Sequence, residues 1–134
     1  MITISKQVHD AMIEHAKNGY PNEACGLLAG SRKDEASEFY PMSNMDGAAI
    51  SYFMDPKEQL LVFKDMRKKN IELRGIFHSH VASEAYPSQK DVRLAFYEDA
   101  SYLIVSLSDM AKPVLKSFKI NEEKVTEEDI KIVV

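Results

Sequence analysis

The sequence predicts a single domain of α/β or α+β class, and three observations predict it. Short apolar runs alternate with segments of helical period for most of the length. At 134 residues and 45% hydrophobic content, the chain is long enough to close one core without disulfides or a structural metal. No repeat, linker or low-complexity tract interrupts it.

Each element has a local reason. Residues 5–18 place Val8, Ala11, Met12 and Ala16 at three- and four-residue spacing and end at Asn18-Gly19, an amphipathic helix with a stop signal in which His9 and His15 are ordinary positions. Ala24 to Ala29 is a short apolar run. After the polar stretch Gly30 to Glu35 a second extended run covers Ala36 to Met42, and the pair reads as a β-hairpin. Tyr52-Phe53-Met54 suggests a third short strand. Asp55 then caps a helix with Pro56 at its first position, running to about Asn70 and burying Leu60, Leu61, Phe63 and Met66. Ile71 to Phe77 reads as a strand that delivers His78 to its end. A loop through Pro87 leads to a helix from Ser88 to about Glu98, followed by strands at Tyr102–Leu107 and Val114–Ile120. The tail from Asn121 to Val134 is compatible with a docked strand or a frayed end.

Composition excludes several function classes. The net charge of −4 arises from 21 acidic and 17 basic residues mixed along the chain, so there is no basic footprint for nucleic acid. Arg67, Lys68 and Lys69, the one basic cluster, read as a helix end favoured by the macrodipole. No run approaches the length of a membrane span, and Met1 to Lys6 lacks a basic segment leading into an apolar one, so a cytoplasmic protein is expected. The lone Cys25 cannot form an internal bridge and fits a reducing compartment. It reads as a small buried thiol. Any zinc must be held by His, Asp or Glu.

The chemistry-bearing segment runs from His78 to Asp91. Residues two apart on a strand project to one face, so His78 and His80 can address one point while Ser79 points away. Asp91 falls in the first turn of the next helix, where a loop can fold it back over the strand end. Two imidazoles and a carboxylate match the three protein ligands of a catalytic zinc that keeps a fourth position open. Taken alone, Ser88-x-x-Asp91 is an ordinary capping pattern. With His at 4 of 134 positions, however, one H-x-H is expected about 0.1 times by chance, and fixed offsets to Ser and Asp lower that to roughly one in a thousand.

The pattern H-x-H-x7-S-x-x-D, together with the glutamate-bearing segment Pro21 to Gly30, resembles the JAMM motif of the catalytic MPN (JAB, Mov34) metallopeptidases. The resemblance spans nearly the whole chain. It implies a cytidine-deaminase-like α/β fold, one zinc on His78, His80 and Asp91, Glu23 as general acid/base and Ser88 as oxyanion stabiliser. The chain departs from the family at Val81, where proline commonly follows the second His, and that puts loop rigidity in question. It has no room for the long insertions of linkage-selective eukaryotic members, so a compact prokaryotic-type member is expected.

Compact members act at the C-terminal tails of ubiquitin-like and sulfur-carrier proteins. An extended tail could add to a sheet edge, and residues 50–55, with Tyr52, Phe53 and Met54 as substrate contacts, are the candidate edge. The competing readings are a non-catalytic MPN-type scaffold, for which the filled motif positions leave little room, and a two-His-one-carboxylate iron oxygenase, which usually needs a β-rich barrel. A base deaminase fails because it requires H-x-E and P-C-x-x-C.

Overall fold

The computed structural model describes residues 1–134. In chain order the elements are β1 (Ile2–Ser5), α1 (Lys6–Gly19), β2 (Cys25–Gly30), β3 (Glu35–Ala36), β4 (Glu38–Met42) and α2 (Pro56–Lys68). They continue with β5 (Glu72–His80), α3 (Gln89–Arg93), β6 (Ser101–Ser106), β7 (Val114–Asn121), β8 (Lys124–Glu128) and β9 (Ile130–Val133).

Six strands form one mixed sheet in the order β4-β2-β5-β6-β7-β8, and β3-β1-β9 form a small second sheet. In the large sheet only β5 and β6 run parallel, joined by the crossover that contains α3; the other neighbours are antiparallel. Period-2 alternation divides the core. On one face Leu28, Phe77, Leu103 and Val105 pack against Val8, Met12 and Ala16 of α1. On the other, Leu27, Ile76, Ile104 and Phe118 pack with Met54 and Met66. No helix is long and apolar enough to cross a membrane.

Side-chain caps start the first two helices, and the one at Asp55 is where it was expected. The Ser5 hydroxyl accepts from Val8 N–H to start α1, and Asp55 accepts from Lys57 N–H with Pro56 behind it at the head of α2. The β2–β4 hairpin is present, with Cys25 opposite Met42.

Four expectations need correction, and the tail, open between strand and frayed end, resolves to strand. Tyr52–Met54 is not a strand, because only an isolated bridge joins Met54 to Asn44 and the segment is held by one backbone bond from Met45 N–H to Phe53 O and by the Asn44 side chain. Leu60 and Leu61 are 55% and 65% exposed; α2 packs through Val62, Phe63 and Met66, and the two leucines fall off that stripe. The helix after Ser88 stops at Arg93 and the chain turns, Tyr97 N–H donating to the Tyr102 phenol at 2.9 Å. The strand begun at residue 71 continues through His80, so both histidines stand on regular β structure. The tail forms two strands: β8 completes a hairpin with β7, and β9 pairs in parallel with β1, a strand absent from the local reading.

Candidate metal centre and its relatives

The site lies at the C-terminal end of β5. His78 and His80 project to the face opposite Phe77 and Ser79, and the loop through residues 81–88 brings α3 back over them. The Nε2 atoms of the two imidazoles are 3.0 Å apart, and each lies 3.1 Å from Asp91 Oδ2. The three side chains form the group able to hold a metal ion. The motif residues expected to converge therefore do so.

The donor set fits zinc. Ligand atoms about 2.0–2.1 Å from a tetrahedral zinc lie about 3.3 Å from one another, close to the spacing here. His80 Nδ1 lies 2.8 Å from the Glu84 carbonyl, which can only accept, so Nδ1 carries the proton and Nε2 turns a lone pair toward the cluster. His78 Nε2 and Asp91 Oδ2 meet it at the same point, so a cation there can take one ligand atom from each of the three side chains. The oxygen Asp91 directs at the histidines also accepts from Ser88 N–H at 2.9 Å, while Ser88 Oγ accepts from Asp91 N–H at 3.1 Å. The capping box and the ligand presentation are one structure: the cap orients the carboxylate.

At His78 and Asp91 the electrostatics agree with this geometry. Burial lowers the pKa of His78 and favours the neutral form a ligand needs. For His80 burial also works downward, but the Asp91 carboxylate and the Glu84 carbonyl outweigh it and raise the pKa. Burial works to raise Asp91, yet the two imidazoles beside it and the hydrogen bond from Ser88 N–H hold its carboxyl well below the usual carboxylate range.

Glu23 sits just before β2, 7% exposed. Burial pushes its carboxyl up to about 7; the nearby charges of His80 and Asp91 pull in opposite directions. The backbone around it is pinned from several sides. Glu23 N–H donates to Ala48 O at 2.8 Å and Ser79 N–H to Ala24 O at 2.9 Å, while the fully buried Ser79 Oγ accepts from Ala24 N–H at 2.8 Å. Ser79 does point away from the histidine face, and that turns it toward the segment carrying Glu23. The motif reading gave Ser79 no task, because its partner is a backbone group 55 positions away in sequence.

Ser88 is exposed at the head of α3, with its hydroxyl proton free of Asp91 N–H. Tyr52 lies flat on the His78 imidazole, ring centroids 4.8 Å apart and planes at 24°. Phe53 is 53% exposed and Met54 is buried; with Tyr52 they line an apolar cavity of about 190 Å³ that Phe63, Leu94 and Tyr97 also enclose. Cys25 stands opposite His78 across the β2–β5 register, and burial pushes its thiol up to about 12, so it is an inert core residue. Despite Val81, the 81–88 loop is tied down, by His80 to Glu84 O and by Ser106 Oγ to Ser83 O at 2.6 Å.

The family described as prokaryotic homologs of the JAB domain matches residues 5–121. The chain belongs to this family. A CysO-cysteine peptidase from Mycobacterium tuberculosis is 39% identical over 134 residues, covering 99% of this chain and 92% of the relative. A desampylase from Pyrococcus furiosus is 32% identical over 112 residues, covering 84% of this chain and 76% of the relative. A solution structure of a protein from Desulfitobacterium hafniense superposes with a TM-score of 0.88 at 47% identity, covering 98% of this chain and 92% of that one. The mixed sheet flanked by helices is thus the α/β architecture expected of a compact prokaryotic member of the JAB group.

Proposed function

We propose that this chain is a zinc-dependent metallopeptidase that hydrolyses the amide or isopeptide bond at the C-terminal tail of a ubiquitin-like or sulfur-carrier protein. The observation that carries the reading is the convergence of His78, His80 and Asp91 on one point, 3.0 to 3.1 Å apart, with the carboxyl of Glu23 buried nearby. The relatives support the substrate class, since they include a CysO-cysteine peptidase and a desampylase.

In this reading His78, His80 and Asp91 hold the metal. When bound, zinc supplies Lewis acidity, polarising a water and the scissile carbonyl. Glu23, whose burial places its pKa near neutrality, takes the proton from the attacking water and later delivers it to the leaving amine. Ser88 donates its exposed hydroxyl to the developing oxyanion. Tyr52 packs against the back of His78, and the cavity it shares with Phe53 and Met54 receives apolar side chains of the substrate. With no regular edge strand at 50–55, the tail lies along the irregular segment that carries Tyr52. The free, buried Cys25 fits a cytoplasmic setting.

The test combines metal analysis with cleavage. Purified protein should hold one zinc per chain and should trim a ubiquitin-like carrier extended beyond its terminal Gly-Gly, and Glu23→Gln should abolish trimming while retaining zinc. Failure to bind zinc at saturating concentrations, or trimming that survives Glu23→Gln, would overturn the reading.

A further inference from the structure

One side chain outside the motif joins two parts of the site. The Asn44 carboxamide has two donor and two acceptor positions, and all four are used. Its Nδ2 donates to Glu23 O at 2.9 Å and to Ser51 O at 3.0 Å. Its Oδ1 accepts from Asp46 N–H and Phe53 N–H, both at 3.0 Å. The last turn of this loop is closed by Met45 N–H donating to Phe53 O at 2.8 Å.

The two bonds to Ser51 and Phe53 flank Tyr52, so Asn44 sets where the Tyr52 ring lies. That ring rests on His78. His78 needs such a support: its Nδ1 is buried and has no hydrogen-bond partner, the single such side-chain atom in the molecule. Metal-ligating histidines usually have the second ring nitrogen tied to an acceptor, which fixes the ring's rotation. For His80 the Glu84 carbonyl does this. For His78 the stacked phenol restrains the ring, and it is only as firm as the loop beneath it. The remaining donation, to Glu23 O, holds the backbone of the acid/base residue against the same loop, whose Ala48 carbonyl accepts from Glu23 N–H.

We propose that Asn44 is a positioning residue of the reaction: its carboxamide locks the 44–54 loop so that Tyr52 orients the His78 ring and the main chain of Glu23 is held in register with it. The proposal rests on the zinc-peptidase reading for its consequence in turnover, but its structural half stands independently. Loss of the carboxamide leaves three ligands in place and loosens the angle at which one of them, and the acid/base group, is presented.

The test uses the full chain loaded with cobalt(II), whose visible absorption reports ligand geometry, beside steady-state cleavage of a ubiquitin-like carrier extended beyond Gly-Gly. Asn44→Asp keeps size and both acceptor contacts but sets a carboxylate against the carbonyls of Glu23 and Ser51. It should alter the cobalt spectrum and lower kcat by about 10- to 100-fold, with KM within about threefold. Tyr52→Leu, which keeps apolar bulk and leaves every Asn44 bond available, should reproduce the spectral change. An unaltered spectrum and kcat in folded Asn44→Asp, whatever its loss of thermal stability, would reduce Asn44 to loop bracing and overturn the proposal. If Asn44→Asp does not fold, an unaltered spectrum in Tyr52→Leu overturns it in the same way. A wild-type chain that cleaves no carrier sinks the substrate reading, while the cobalt spectra still decide the role of Asn44.

Discussion

On the α1 side of β5, Phe77 and Ser79 are fully buried; on the opposite side, Ile76, His78 and His80 are buried almost as deeply. The polar atoms on the two faces are treated differently. Ser79 Oγ accepts from Ala24 N–H and its backbone N–H reaches Ala24 O, so that face is closed and satisfied. On the other face His78 Nδ1 has no partner, and a potential ligand atom from each of His78, His80 and Asp91 faces the same point. Burial alone does not separate scaffold from site. What separates them is whether the buried polar groups are complete within the chain or require something from outside it.

The comparison can be broken most sharply at His80. His80→Ala should abolish stoichiometric zinc binding and reduce carrier cleavage at least about 1,000-fold, or ~4 kcal/mol in transition-state stabilisation. Equal zinc in variant and wild type would remove His80 from the ligand set. Across the strand, Phe77→Ala should cost about 3–5 kcal/mol in urea unfolding, because a large side chain at 0% exposure leaves a cavity. A loss below ~1 kcal/mol would show that the scaffold face is loosely packed.

Glu23 offers a finer cut through its pH dependence. Burial raises its carboxyl from 4.5 to about 7, so the folded, metal-free chain holds the proton more tightly than the unfolded chain does. That linked stability is fully present below pH 4.5 and is lost as pH rises through about 7. Metal-free Glu23→Gln, which stays neutral, should therefore match wild type near pH 4 and exceed it by up to about 3 kcal/mol at pH 8. Equal stability of the two at both pH values would mean that Glu23 is solvated in solution. The smallest effect belongs to Ser79→Ala, which leaves Ala24 N–H without its acceptor and should cost about 1–3 kcal/mol with zinc content unchanged. If Ser79→Ala loses zinc instead, the two faces are not separable.

Much of this molecule was legible because its signals are local. The period of α1, the Asp55-Pro56 start of α2, the β2–β4 hairpin and the H-x-H on β5 depend on neighbours within a few residues, and each appears in place. The capping reading of Ser88-x-x-Asp91 holds, and the same box of hydrogen bonds turns Asp91 toward the two histidines. The misread parts depend on distant partners. Strand β1 has only four residues and exists through parallel pairing with β3 and with β9 at the other end of the chain. The β7–β8 turn places Glu122 and Glu123 at φ of 50° and 65°, a conformation usually announced by Asn or Gly, so the tail carried no turn signal. Hydrophobicity alone places Leu60 and Leu61 in the core, but it cannot say which side of α2 meets the sheet.

The sequence by itself determined the candidate ligand types, their spacing and the strand and cap that present them, because covalent neighbours and backbone periodicity set those. Tertiary structure alone decided how deeply Glu23 is buried, that Tyr52 lies on His78, and that Asn44 and Ser79 grip the segment around Glu23. These contacts join groups 21 to 55 positions apart. Their energies come from desolvation and hydrogen-bond geometry, which exist only once the sheet has closed around them.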